Sequence, residues 1–309
     1  MSTRDAIAGA VQVGGIALLS PLLPGLTQWT KARLQGRRGA SPLQPYRELA
    51  RLWSKSVVDP EGTGPVYRLA PALVAGTIAL AGLLVPVAGH APSWPVGHDA
   101  LVLLGLLALG RFALAAAAWD TGNGFALQGA SRDLAVSVAV EAALVLALAS
   151  AALGASTTDL RGMAAAGAGV HAWSNPAQAL ALLAFAFVVV AETGRLPVDN
   201  PDTHLELTMI HEGPLLEYAG RDLAYLQWAV AARHWLVLAL AAAIFLPHPS
   251  GFVAGLALLP VLLATVALGL GLLETLVAKL RILLVPRLLG AGAGVALLAV
   301  ISRLIESAQ

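Results

Sequence analysis

Long apolar runs separated by short polar segments occupy the whole chain. Eight reach or approach the length of a bilayer crossing, at 6–26, 70–88, 100–119, 134–153, 177–191, 224–246, 252–273 and 283–301. A helix needs about 20 apolar residues to span the hydrocarbon core, with roughly 17–25 tolerated. The fifth run is short and the eighth carries Pro286 near its start, so their ends are the least defined. Uniform apolarity without two-residue alternation excludes a membrane barrel, and open sheets cannot satisfy their backbone in lipid. The pattern predicts an all-α, polytopic membrane helix bundle of about eight transmembrane helices.

Basic residues orient it. With the N-terminus outside, the cytoplasmic segments hold eight basic residues between positions 29 and 68 together with Arg132, Arg195, Arg221, Lys279, Arg281 and Arg287, which is 14 of the 19. The outer segments keep Arg4, Arg161 and Arg303, and Arg111 and Arg233 fall inside spans. This asymmetry puts both termini outside. Removing the first run as a signal peptide would export the basic loop, and Pro21 and Pro24 close it without a small-residue cleavage site, so it reads as a retained helix. The two long cytoplasmic loops, about 29–68 and 192–222, are too short for cores of their own. Residues 1–309 therefore read as a single transmembrane domain, with those loops as its docking surface. No fixed-period repeat and no inverted pair of broken helices stands out, which weighs against a secondary transporter.

Composition narrows the chemistry. The chain is 58% hydrophobic and 12% charged, with a formal net charge of +1 that offers no field for nucleic acid. It has no Cys, so iron–sulfur clusters, c-type haem, disulfides and thiolate chemistry must belong to other subunits. Of seven His, His234 alone lies deep in an apolar run, whereas a b-type haem takes two ligands at matched depth.

The 192–222 loop holds seven of the 18 acids, Glu192, Asp199, Asp202, Glu206, Glu212, Glu217 and Asp222, against two Arg. Thr203 and Glu206 fit a helix capping box. Leu205, Leu207, Met209, Ile210, Leu215 and Leu216 make the segment too apolar for a free linker, so it should fold onto the bundle or a partner. His204 and His211, seven apart beside Glu206 and Glu212, lack metalloprotease spacing and a further N or S ligand. No metal site is expected, and contact with a partner suits both better.

Charges inside the spans are costly unless paired or hydrated. At 1.5 Å per residue, Glu141, Arg111 and Arg233 lie about 11, 12 and 14 Å below the cytoplasmic face. A Glu flanked by two Arg in one layer is either a structural lock or an ion-coupling element. Glu192 and Glu274 stand at cytoplasmic span ends.

The string AETGRLPVDNPDTHLELTMIHEGPLLEYAG, 191–220, strongly resembles the fourth subunit of formate hydrogenlyase and its membrane-bound nickel–iron hydrogenase relatives. More distantly it resembles subunit 1 of respiratory complex I, whose A-E-x-x-R-x-P-x-D, E-L and E-Y-x-G elements stand here as Ala191-Glu192, Arg195, Pro197, Asp199, Glu206-Leu207 and Glu217-Tyr218-x-Gly220. The segment 203–212 looks like the hydrogenase branch. ALQGASRDLAVSVAVE, 126–141, resembles the family's A-L-x-G-A-x-R followed by a helical Glu. The early loop departs from the family pattern, with Arg37-Arg38-Gly39 and Leu43-Gln44-Pro45 only loosely representing R-x-G-P-N-R-x-G.

The resemblance implies a non-catalytic subunit of a cell (inner) membrane oxidoreductase complex. It would anchor hydrogenase-like small and large subunits and an iron–sulfur subunit, and couple their electron transfer to proton or sodium movement beside antiporter-like membrane subunits. Cofactors, the iron–sulfur clusters and the nickel–iron site, would sit in those partners and none in this chain, with quinone a ligand only under the complex I-like alternative. Two other readings stay open: the quinone-site subunit of a complex I-like oxidoreductase, and a stand-alone ion transporter in the lipid bilayer.

Overall fold

A computed structural model describes residues 3–87, 97–168, 174–199, 210–249 and 251–307. Its regular structure is helical: α1 (Thr3–Gly14), α2 (Leu22–Leu34), α3 (Gln44–Trp53), α4 (Pro65–Leu84), α5 (Ala100–Asp120), α6 (Gly124–Ala155), α7 (Leu160–Gly167), α8 (Pro176–Glu192), α9 (Gly220–Leu240), α10 (Phe252–Leu276) and α11 (Val285–Ser307). No strand occurs among the described residues, where one bridge pairs Asp99 with Asp159. Six helices, α4, α5, α6, α9 with its extension to Phe245, α10 and α11, are long and apolar enough to cross a membrane. The first run is a helix pair bent by 52°, and the apolar α8 has 17 residues.

Helix starts follow local chemistry. Asp99, Asn123, Asp159 and Asn175 each accept a backbone N–H two residues on, capping α5, α6, α7 and α8. The Asn123 cap explains why α6 begins ten residues before the apolar run that predicted it. The polar first turns of that helix lie outside the hydrophobic stretch. Helix α3 also escaped the span scan, because a ten-residue amphipathic helix is too short and too polar to register as one.

The first apolar run breaks at a π-helical turn, Gly15–Leu19, followed by Pro21. Carbonyls in that turn are taken by side chains: Ile16 by Ser20 Oγ at 2.6 Å, Ala17 by Trp228 Nε1 at 3.2 Å, and Leu18 by the Tyr46 hydroxyl. The break therefore ties α1–α2 to α3 and α9. A second π turn, Ala241–Phe245, extends α9, and its Ile244 carbonyl accepts from Gln178 Nε2 of α8 at 2.9 Å.

Helix α9 is the axis of the bundle, with 83% of its apolar window buried, against 22% for α10 and α11 at the periphery. Around it, α4 packs on α5, and α6, α8 and α11 pack on one another. Lipid supplies no hydrophobic drive between spans, so close approach depends on small residues. Trp235 of α9 lies where a Cβ on Gly15 would meet its ring at 2.5 Å, and Ile16 fills the gap over Gly82 of α4. Outward positions such as Phe112, Val138 and Val253 are exposed and apolar, as a lipid-facing surface requires.

Candidate functional site

The end of the bundle that carries the acidic loop holds three groups of ionisable side chains. In the first, Arg111 of α5 reaches Glu141 of α6 at 2.8 Å through Nη1 and, through Nη2, the Glu192 carboxylate that ends α8. Arg233 of α9 stands 3.8 Å from the other Glu192 oxygen, an ion pair without a hydrogen bond. Depth alone put Glu141 between the two arginines. The structure puts Glu192 there instead, because α8 ends facing both α5 and α9. Glu192 is 1% exposed and Arg111 7%, whereas the Glu141 side chain is 36% exposed.

A second group surrounds the described end of the acidic loop. The His211 backbone N and ring Nδ1 both lie 3.3 Å from Asp199 Oδ2, and Nε2 lies 3.7 Å from Asp133 Oδ1 of α6. Lys279, just past α10, donates to Asp199 Oδ1 at 3.2 Å. Burial disfavours the imidazolium, but the Asp199 hydrogen bond and the charges of Asp133 and Asp199 outweigh it, pushing His211 above its ordinary value. In the third group the fully buried Glu274 of α10 accepts from Arg195 at 3.2 Å and pairs with Lys31 of α2 at 3.6 Å. Loop and helix ends are thus clamped: Leu280 N also donates to the Pro197 carbonyl at 3.0 Å.

The E-Y-x-G element has a structural use. Tyr218 stacks on Tyr67 of α4 with ring centres 4.3 Å apart, and each hydroxyl donates to the backbone of the other segment, Tyr67 to the Glu217 carbonyl at 2.7 Å and Tyr218 to the Tyr67 carbonyl at 2.9 Å. The Glu217 carboxylate accepts from Asn123. Gly220 has φ +58°, and a Cβ there would stand 2.2 Å from the Ser56 carbonyl oxygen, so the loop crosses α3's exit backbone to backbone. Burial raises the affinity of the Tyr218 hydroxyl for its proton, keeping it a donor. Asp222 sits in the first turn of α9, where the helix dipole favours it.

Between the bent α1–α2 pair, α3, α9 and the loop lies a cavity of about 640 Å³. Its floor is Arg111, Glu192 and Arg233, its loop-side wall includes Asp133, Asp199, His211 and Glu212, and Pro21, Pro45 and Leu49 line the opposite side. Of the residues singled out in sequence, Asp202, His204 and Glu206, with the Thr203 cap, lie outside the described residues. No group of three or more His, Asp or Glu among the described residues is placed to hold a metal. Sequence reasoning missed Asp133, Lys31 and Lys279. Asp133 had a signal, since Asp133, Ser137 and Glu141 recur every four residues along one side of α6. Lys31 and Lys279 looked like ordinary positive-inside charges.

The chain belongs to the NADH dehydrogenase family, whose model matches residues 8–302. It is 35% identical over 296 residues to formate hydrogenlyase subunit 4 of Escherichia coli (strain K12), covering 93% of this chain and 94% of that protein. Hydrogenase-4 component C of the same organism is 34% identical over 233 residues, covering 75% and 72%. The fold matches a chain of the membrane-bound sulfane sulfur reductase, an archaeal respiratory membrane complex, with a TM-score of 0.81 at 20% identity, covering 96% of this chain and 99% of that one.

Proposed function

We propose that this chain is the integral membrane anchor and ion-coupling subunit of a membrane-bound nickel–iron hydrogenase or formate hydrogenlyase-type complex. The observation that carries the reading is the row Glu141–Arg111–Glu192–Arg233, charged groups held by four spans beneath a loop cavity. Likeness to formate hydrogenlyase subunit 4 and hydrogenase-4 component C supports the choice of complex. Counting the bent pair and α8 beside the six longer helices gives eight spans, with both termini outside the cell membrane. Loops 29–68 and 192–222 then face the cytoplasm and dock hydrogenase-like small and large subunits and an iron–sulfur subunit. Antiporter-like subunits lie alongside in the bilayer.

Electrons passing through the arm change the charge near the loop. The buried row responds because Arg111 holds two carboxylates and Glu192 two cations, so moving one proton repolarises the whole group in a medium of low dielectric constant. Glu141, the most exposed member, is the exchange point, and Glu274 with Lys31 and Arg195 fixes the loop to α2 and α10. A second reading, the quinone-site subunit of a complex I-like oxidoreductase, is favoured by the cavity, which is lined by residues of the first helix pair, α3, α9 and the loop and is large enough for a ring.

Glu141→Gln tests the main reading. The complex should assemble, hydrogen or formate chemistry with an artificial electron acceptor should persist, and ion uptake into vesicles should fall. Normal assembly with parental uptake removes Glu141 from the mechanism.

A further inference from the structure

His211 occupies a seat with one geometry. Its ring lies on Gly194, whose φ is +60° and where a Cβ would stand 3.2 Å from Nδ1, so the chain has left room for an imidazole face. Asp199 takes both the backbone N–H and Nδ1, which fixes the ring's rotation and turns Nε2 toward Asp133. The ring also forms part of the cavity wall.

Each carboxylate leads away from it. Asp199 continues to Lys279 on the α10–α11 connection. Asp133 begins the stripe of Ser137 and Glu141 on α6, about 12 Å along the helix at 1.5 Å per residue, and Glu141 meets Arg111. A cation used only as a clasp would be served by Arg, or by a Lys that the two flanking aspartates keep protonated near neutrality. An imidazole between two carboxylates both bridges and exchanges.

We propose that His211 is a proton-loading residue: held by Asp199 through Nδ1, it passes a proton from Nε2 to Asp133 and so joins the cavity to the carboxylate stripe of α6. In that step the Nε2–H bond breaks and an O–H bond forms on Asp133 Oδ1. Imidazolium and carboxylate become imidazole and carboxylic acid, no electrons move, and the pair's net charge is unchanged. The 3.7 Å separation must close by about 1 Å to reach hydrogen-bond length, which rotation of the Asp133 side chain supplies. The titratable and charged groups facing His211 are Asp199 of the loop, Asp133 of α6, Arg233 and His234 of α9, and Glu192 of α8. Arg233 opposes the imidazolium, and the two aspartates favour it. His234 points Nε2 at the Thr193 carbonyl at 2.7 Å, so it is committed to the backbone. The use made of the proton rests on the ion-coupling reading; the exchange itself does not.

Two measurements separate these. Histidine-selective 15N NMR of the full chain in phosphatidylglycerol–phosphatidylethanolamine liposomes, assigned with His211→Asn, should show the His211 ring titrating above about 6.5 and dropping by about one pH unit or more in Asp133→Asn. In the assembled complex, His211→Lys keeps the clasp but cannot exchange, so ion uptake should fall at least about tenfold and lose its pH dependence while artificial-acceptor activity persists. An NMR titration indifferent to Asp133→Asn overturns the proposal, as does parental uptake in an assembled His211→Lys complex. Should that variant fail to assemble, the NMR result decides. A parent complex that moves no ions refutes the ion-coupling reading and leaves the His211–Asp133 exchange to be judged by NMR.

Discussion

Replacing Glu192 by Gln should damage this protein far more than replacing Glu141 by Gln, although both contact Arg111. Glu192 is the carboxylate between Arg111 and Arg233, and its side chain is 1% exposed. Without its charge Arg233, 14% exposed, has no carboxylate partner in this row, and Arg111 keeps only the partly exposed Glu141. Breaking a buried pair by removing one partner costs about 3–5 kcal/mol. At 1.36 kcal/mol per decade that is roughly two to nearly four decades in the folded population. Glu141→Gln leaves Arg111 paired with the buried Glu192 and removes only the more exposed of its two carboxylates, so its loss should be the smaller one. In thermal unfolding of the detergent-solubilised complex, at the about 2–4 °C per kcal/mol of chains of roughly 150–250 residues as an upper scale, Glu192→Gln should lose up to roughly 6–20 °C and Glu141→Gln clearly less. Adding Arg233→Gln to Glu192→Gln should recover part of the loss, because it removes the stranded cation. Equal losses for the two single variants, or a larger one for Glu141→Gln, would refute the placement of Glu192 at the centre of the row.

Gly220→Ala should unfold the loop's junction with α9, since φ +58° costs a side chain about 1–2 kcal/mol and the Cβ would strike the Ser56 carbonyl at 2.2 Å; protease accessibility of the 192–222 loop reads the outcome. Tyr218→Phe loses one buried hydrogen bond to the Tyr67 carbonyl but keeps the stack, so a drop of about 1 kcal/mol in a denaturant titration is expected. The His211 clasp has a pH signature: the folded value lies above the unfolded one, so its stabilisation is complete below about 6.5 and fades as pH rises through the folded value. Thermal midpoints of the parent and His211→Gln should therefore converge toward alkaline pH.

The spans were legible because a bilayer imposes length and apolarity on every crossing, and those are one-dimensional properties. Their breaks were less so. The π turn at Gly15–Leu19 depends on Ser20, Tyr46 and Trp228 capturing its carbonyls, and the last two come from elements far along the chain. Depth grouped Arg111, Glu141 and Arg233, but depth says nothing of azimuth, and the contacts give the central position to Glu192. Lys31 and Lys279 were hidden by the positive-inside bias, which makes a lysine at a span end unremarked until Glu274 and Asp199 are seen beside them. Arg195 and Asp199, by contrast, stood in a motif dense enough to mark them as members of a built structure, and both are buried in ion pairs.

The central claim, a membrane anchor for a redox arm, is tested most directly by isolating the affinity-tagged full chain from its own membranes in mild detergent and measuring subunits and iron together. The account predicts co-purification, in fixed stoichiometry, of cysteine-rich subunits carrying iron and nickel, and their release when the 192–222 loop is cleaved. A homogeneous single chain without bound iron that moves ions by itself in liposomes would contradict it.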